Sequence, residues 1–230
     1  MLIQKQGFDL PIENLDSYTG THQFQRHGTV FGGNCKRGII IGPSGSGKTN
    51  VLINLLKHPN GLRFENVYIF SKSLHQPKYD YLRELFKPMK EIGYNEYSST
   101  DNIISTDEIK SNSIVIFDDI VTQNQTEPRN FFCFGRHKDV DCFYLSQTYS
   151  SIPKQLIRDN ANLIVMFKQD STNLRHVYDD HVCTDMKFDK FVEMCSTCWR
   201  DDKFNFIVID KDCELNKGRY RKGFDSFIII

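Results

Sequence analysis

Residues 42–49 read Gly-Pro-Ser-Gly-Ser-Gly-Lys-Thr and satisfy G-x-x-x-x-G-K-[ST] at every defined position. The chemistry served by this spacing is the grip on a nucleoside triphosphate. Glycines permit unusual backbone angles, so a nest of N–H groups faces the phosphates, and a helix beginning near Lys48 adds its N-terminal dipole. Gly42, Pro43, Ser44, Gly45, Ser46, Gly47, Lys48, Thr49 and Asn50 are the expected nucleotide contacts. Lys48 would reach the β- and γ-phosphates and the Thr49 hydroxyl would ligate Mg²⁺, so ATP and Mg²⁺ are the expected ligands. An apolar run before the loop and a helix-compatible segment after it argue against a chance glycine turn. The loop alone does not say what the triphosphate is used for.

Three further polar groups narrow that choice. Ser113-Ile-Val-Ile-Phe-Asp118-Asp119 is an apolar strand ending in two acids, where ligands of open α/β sheets bind. Asp118 is placed to hold Mg²⁺ through water. Asp119 is positioned to activate an attacking water, a role a small-molecule kinase does not need; paired acids can also serve only as a helix N-cap. Phe143-Tyr-Leu-Ser-Gln147 ends a third strand in a neutral amide suited to a γ-phosphate or to the lytic water. If that strand lies between the loop strand and the Asp118 strand, the sheet is of the additional-strand type of the ATPases, not the kinase or GTPase type. Arg136, in Gly135-Arg136-His137, sits where it cannot easily curl back to its own γ-phosphate. It is a candidate arginine finger for a neighbouring subunit, or a solvated cation near a helix end.

The elements that must position these groups are legible as short apolar runs at 38–41, 67–70, 114–117, 142–145 and 163–167. They are rich in β-branched and aromatic residues and do not alternate, as expected of strands buried on both faces of a parallel sheet. Helix-compatible segments lie near 48–57, 78–87, 127–138 and 153–160, and again at 171–181 and 187–195, before a late strand at 204–210. The pattern predicts an α/β fold, a mainly parallel, doubly wound sheet with helices on both faces. Residues 1–36 read as an N-terminal arm ending near Phe31, 37–170 as the core, and 171–230 as an extension of the same domain.

Composition excludes some classes. A chain of 230 residues with 39% hydrophobic and 25% charged residues supports one sizeable domain and not a disordered polymer. Lys+Arg equals Asp+Glu at 29 each, so no global basic field advertises a polyanion, although a ring of subunits can still concentrate basic groups on one surface. The first residues lack an apolar stretch of signal-peptide length and no run approaches a membrane span, predicting a chain that is not secreted and has no membrane partner. Seven scattered cysteines predict reduced thiols.

Taken together, GPSGSGKT (42–49), IVIFDD (114–119), FGRH (134–137), FYLSQTY (143–149) and IPKQLIRDNANLIVMF (152–167) resemble the FtsK–HerA superfamily of DNA-pumping ATPases. The likeness is to its viral branch, the genome-packaging ATPases of poxviruses, other large DNA viruses, virophages and Polinton-like elements. It spans roughly residues 30–170 and is specific in the order and spacing of the motifs. The resemblance implies a RecA-like P-loop NTPase fold and an ATP-driven motor that moves double-stranded DNA into a capsid. It also implies a homo-oligomeric ring (pentamer or hexamer), capsid vertex proteins as partners, and a location in host cytoplasm, viral factory or virion. By resemblance Arg136 becomes the trans-acting finger and Gln147 its strand-end companion, eleven positions on; Arg158 is a second candidate finger, or an interface residue. Cellular members usually carry Glu where this chain has Asp119, and the chain lacks their membrane and extra DNA-binding segments.

Two alternatives from other classes remain: a nucleotide or nucleoside kinase, for which no arginine-rich lid is seen, and an ATP-binding assembly subunit without translocase activity. Weaker signals are Cys195-x-x-Cys198 with His181 and Cys183, read as a zinc site or as free thiols on a helix. The basic stretch 217–222 could touch DNA or lie in solvent. Segments 72–78 and 120–126 are pore-loop candidates by position, and Phe227–Ile230 a last strand or an apolar plug.

Overall fold

The computed structural model describes residues 26–31, 35–99 and 104–230. Most of the predicted N-terminal arm lies outside the described residues. Its last part, Arg26–Phe31, packs against the described chain: Gly28 N–H donates to Gly61 O, and Phe31 is buried edge-on against Phe224.

One sheet of nine strands organises the chain. Its strands are β1 (Arg37–Ile41), β2 (Asn66–Ser71), β3 (Gly93–Tyr97), β4 (Ser113–Asp118), β5 (Val140–Ser146), β6 (Leu163–Phe167), β7 (Phe206–Asp210), β8 (Tyr220–Lys222) and β9 (Ser226–Phe227). They lie in the order β3-β2-β4-β5-β1-β6-β7-β8-β9. The first six are mutually parallel, and β7 to β9 add antiparallel neighbours. The predicted 171–230 extension is thus continuous with the core sheet, through the β6–β7 pairing.

Alternate residues of each central strand enter two separate cores, which is why these runs are apolar throughout. Ile40, Ile69, Ile116 and Leu145 face α1 (Lys48–Lys57) and α2 (Pro77–Phe86). Ile41, Phe70, Phe117 and Tyr144 face the other way, onto α3 (Thr126–Phe134), α4 (Ser171–His181) and α5 (Phe188–Trp199). The helices supply matching stripes: Leu52, Leu55 and Leu56 on α1, and Phe191, Met194, Cys195 and Cys198 on α5. Pro77 opens α2, and the Asp170 carboxylate caps α4 by accepting from Asn173 N–H at 2.9 Å.

Two expectations change, and two strands are additional. The segment 153–160 is not a regular helix: after Pro153 it forms one wide turn over Lys154–Arg158, interrupted at Leu156, whose φ is +72°. The segment 127–138 divides into α3 and a 3₁₀ turn at Gly135–Lys138, because Asp139 turns left-handed (φ +56°) to start β5. Strand β3 escaped notice because it is half-buried and largely polar, and β8 because it is only three residues long. The terminal Phe227–Ile230 gives only the two-residue β9, with Ile228 and Ile230 lying on the α5 side of the core.

At the lower edge, where the parallel strands begin, charges pair off inside the chain. The ammonium of Lys36 is buried between Asp210 and Asp212, and Asp141 receives Arg26, His27 and the Lys36 N–H. The upper edge is where polar groups stay open.

Candidate active site

Register brings the predicted residues together. Ile41 pairs with Ser146, so Gly42 and Gln147 continue side by side above β1 and β5; Asp118 pairs with Leu145 on the other side of β5. With neighbouring strands about 4.8 Å apart, the phosphate loop, Gln147 and the two acids occupy three adjacent strand ends. The condition posed by the sequence is met: β5 lies between β1 and β4.

The loop itself is built by its glycines. Gly47 has φ +106°, a conformation that costs other residues 1–2 kcal/mol or so, and it caps α1 with no side chain covering the helix N-terminus. A Cβ on Gly42 would lie 2.5 Å from Ser46 Oγ and 2.7 Å from Phe167 Cβ, so only glycine fits where β1 enters the loop. Lys48 Nζ donates to the Gly42 and Pro43 carbonyls at 2.6 and 3.1 Å, folding the ammonium over the loop.

A cavity of about 100 Å³ lies above the loop, lined by Lys48, Thr49, Asp118, Asp119 and Gln147. Burial lowers the Lys48 ammonium from its usual range, against the pull of Asp118 and Asp119, and nearby Lys78 lowers it further. Asp118 is nine-tenths buried, and that burial raises its carboxyl above the usual range, opposed by a hydrogen bond from Tyr79 and by the Lys48 charge. Asp119 is exposed and left-handed (φ +56°), a conformation Asp tolerates better than most residues, and one that concentrates at functional sites.

Sequence reasoning missed three contributors. The Tyr79 hydroxyl donates to Asp118 Oδ2 from a ring that is fully buried, and Ser71 hydrogen-bonds that hydroxyl in turn. Lys78, in the first turn of α2, lines the phosphate cavity with Ser73 and Gln76. Three residues of the 72–78 segment therefore line the nucleotide cavity. Lys72 Nζ meets Thr122 Oγ1 at 3.3 Å, joining that segment to 120–126. No local signal marks Tyr79 or Lys78; each follows a strand end by several residues.

Thr49 and Asp118 offer a hydroxyl and a carboxylate oxygen, hard donors that suit Mg²⁺ when phosphate and water complete its shell. Among the described residues no group of three or more His, Cys, Asp or Glu is arranged to hold a metal. Cys195 and Cys198 are buried free thiols on α5, with burial pushing Cys198 up to about 11, and His181 is engaged with the Tyr149 hydroxyl at 2.7 Å.

Residues 34–225 match the family model described as Poxvirus A32 protein. The chain belongs to the poxvirus A32 family. Solved structures point to the same fold. B204, described as the genome packaging NTPase of Sulfolobus turreted icosahedral virus 2, is similar in its complex with sulfate at a TM-score of 0.53. That match has 14% identity over 77% of this chain and 92% of that one. Its complex with AMP gives 0.52, also at 14% identity, over 77% and 93%. B204 from Sulfolobus Turreted Icosahedral Virus, described as a DNA-packaging ATPase, gives 0.50 at 12% identity over 76% and 92%. No curated protein sequence matches significantly.

In this A32-family chain the two arginines predicted as fingers part company. Arg136 is exposed in the 3₁₀ turn that precedes β5. The seven residues of β5 separate it from Gln147, roughly 20 Å at strand rise, so it cannot serve its own phosphate cavity. Phe134, two positions before it, is exposed as well. Arg158 is turned inward: its side chain is 10% exposed, ion-paired with Asp180 at 3.2 Å, and 4.8 Å from the Tyr149 ring centroid. That geometry ties Arg158 to its own chain, whereas the Arg136 side chain stays exposed.

The basic stretch 217–222 divides. Arg219 pairs with Asp185 and buried Arg221 with Asp210, inside the chain. Lys217 pairs with Glu214 at the exposed surface, and Lys222 stays half-exposed, 4.0 Å from Asp201. Among the described residues no helix is long and apolar enough to cross a membrane.

Proposed function

We infer that this chain is the ATP-hydrolysing motor that translocates double-stranded DNA into a viral capsid. The observation that carries the reading is the placement of β5 between β1 and β4, which brings a glutamine and two carboxylates to one phosphate loop. Membership of the A32 family and the fold of the B204 packaging NTPase support the same reading. A kinase has no use for a water-activating acid at that position, and its phosphate-loop strand neighbours the acid-bearing strand directly.

Each side chain has a defined task. The loop amides and Lys48 bind the β- and γ-phosphates, and Lys78 supplies a second cation from the same chain. Thr49 and Asp118 would hold Mg²⁺, which would neutralise phosphate charge when bound; Tyr79 fixes the Asp118 carboxylate. Gln147 orients the lytic water against the γ-phosphate. The water oxygen bonds to the γ-phosphorus as the bond to the β–γ bridging oxygen breaks, and Asp119 accepts the proton. Arg136 enters from the neighbouring subunit of a ring of five or six and stabilises the charge of the transition state. Such a motor works at the capsid vertex during assembly, in host cytoplasm or viral factory.

The test is the ATPase rate against protein concentration, with and without duplex DNA, together with an equimolar mixture of Arg136→Ala and Lys48→Ala chains. In the mixture a chain that binds ATP meets a neighbour that still carries the arginine. The rate should rise steeply with concentration and with DNA, and the mixture should recover part of it. A rate per chain that is flat in concentration and indifferent to DNA would overturn the reading.

A further inference from the structure

A second and larger cavity, of about 480 Å³, lies on the opposite side of the phosphate loop from Asp118 and Gln147. Its size is within the range of small-molecule sites. Ser46, Gly47 and Asn50 form its floor, and Gly47 lines the phosphate cavity as well. A nucleotide whose phosphates occupy the first cavity would pass over Gly47 and enter the second. Two aromatic rings guard that junction: a Cβ on Gly47 would stand 3.6 Å from both Phe167 and Phe204.

The wall beyond the junction comes from the C-terminal strands. Phe167 at the end of β6 lies 5.3 Å from Phe206 of β7, and Phe206 lies 5.3 Å from Phe224, which precedes β9. Phe206 and Phe224 are partly buried and packed against the core, and Phe31 buttresses Phe224 at 6.0 Å. Phe204 differs from them. It is 49% exposed, an unusual placement for a phenylalanine, and it lines the cavity from the turn ahead of β7. Among the described residues Asp225 is the one carboxylate in the lining, and its Oδ1 accepts from the neighbouring Ser226 hydroxyl.

We propose that this cavity is a nucleobase site, in which Phe204 stacks on a purine and the Asp225 carboxylate accepts its amino group. The proposal rests on the nucleotide reading of the phosphate loop. A carboxylate has acceptors and no donors, so it pairs with the amino edge of adenine or guanine and faces a carbonyl oxygen in uracil. The stacking partner is a flat aromatic face, which a purine covers more fully than a pyrimidine. The 171–230 segment thereby gains a task in substrate selection besides extending the sheet.

The test uses binding of ATP, GTP, UTP and inorganic tripolyphosphate to the full chain, with the steady-state KM and kcat for ATP hydrolysis. Phe204→Ala should weaken ATP and GTP about tenfold, equivalent to about 1.4 kcal/mol, and leave tripolyphosphate unchanged. KM for ATP should rise by a similar factor with kcat retained, and Phe204→Tyr should behave as wild type. Asp225→Asn, which adds an amide donor, should reduce the preference for ATP over UTP about tenfold. ATP binding untouched by Phe204→Ala, or tripolyphosphate weakened by the same factor, overturns the base site. A wild-type chain that binds neither ATP nor tripolyphosphate defeats instead the phosphate-loop reading beneath it, and the base site with it.

Discussion

Replacing Tyr79 by Phe removes one oxygen atom and keeps the ring that α2 buries against the sheet. The lost atom is the donor to Asp118 Oδ2. Burial already raises the Asp118 carboxyl above its ordinary range, and the Tyr79 hydrogen bond is the first of the influences that oppose it. A hydrogen bond to a charged group contributes roughly 1.5–3 kcal/mol. Asp118 lines the phosphate cavity, so water recovers part of that, leaving about 1.4 kcal/mol. The sign follows from which form is favoured: without the donor the charged carboxylate loses support, its proton affinity rises, and more Mg²⁺ is needed at any given pH. The ATPase of Tyr79→Phe should therefore require about tenfold more Mg²⁺ for half-maximal rate. The acid limb of its pH profile should move toward neutrality, while ATP binding without metal stays as in wild type. A Mg²⁺ titration at several pH values, on protein with a native circular dichroism spectrum, reads both effects. Superimposable titrations for the two proteins would refute the assignment of Tyr79 as the residue that positions Asp118.

The other residues lend themselves to simpler measurements. Asp119→Asn tolerates the same left-handed backbone but accepts no proton, so kcat should fall at least about a hundredfold with ATP affinity preserved. Lys78→Met should raise KM for ATP several-fold, because a cation near the phosphates is lost; an unchanged KM removes it from the site. Arg158→Met removes one partner of the nearly buried Asp180, which keeps Lys154 and the Tyr149 hydroxyl, and should cost about 1.5 kcal/mol in thermal unfolding, with ATPase per folded chain maintained. His181 is held neutral, its value lowered to about 3 from 6.5 by burial first and then by Lys211. The folded chain thus binds fewer protons than the unfolded chain between those values. Its contribution is complete above about 6.5, and stability should decline by up to about 1.4 kcal/mol per pH unit as the solution is acidified toward 3. A His181→Gln chain should show a shallower decline in melting temperature over that window.

Local features of the chain were readable where the cause is local. The loop at 42–49 depends on glycine geometry and a lysine within eight residues. The helix at 48–57 and the runs that became β1, β2, β4, β5 and β6 carry their burial in composition. Where the cause is distant, reading failed. Gly93–Tyr97 has no apolar pattern because β3 is an edge strand, and it becomes a strand only by pairing with β2. Residues 153–160 have helix-compatible types, yet Leu156 takes a left-handed conformation within a turn packed on α3. Arg158 looked like Arg136 in sequence; only the position of Asp180 and Tyr149 separates a tethered arginine from an exposed one.

By itself, then, the sequence pointed to a bound triphosphate and a parallel sheet carrying the loop, and offered two acids, an amide and an arginine as candidates for hydrolysis. The tertiary structure alone decided strand order, and with it that Gly42, Gln147 and Asp119 end on adjacent strands. It also decided that Tyr79 lies under Asp118, and that Phe204, more than 150 positions from the loop, stands beside Gly47. Strand order and such contacts arise from how two hydrophobic faces are jointly covered by helices. That is a property of the whole packed chain, and no short window of residues encodes it.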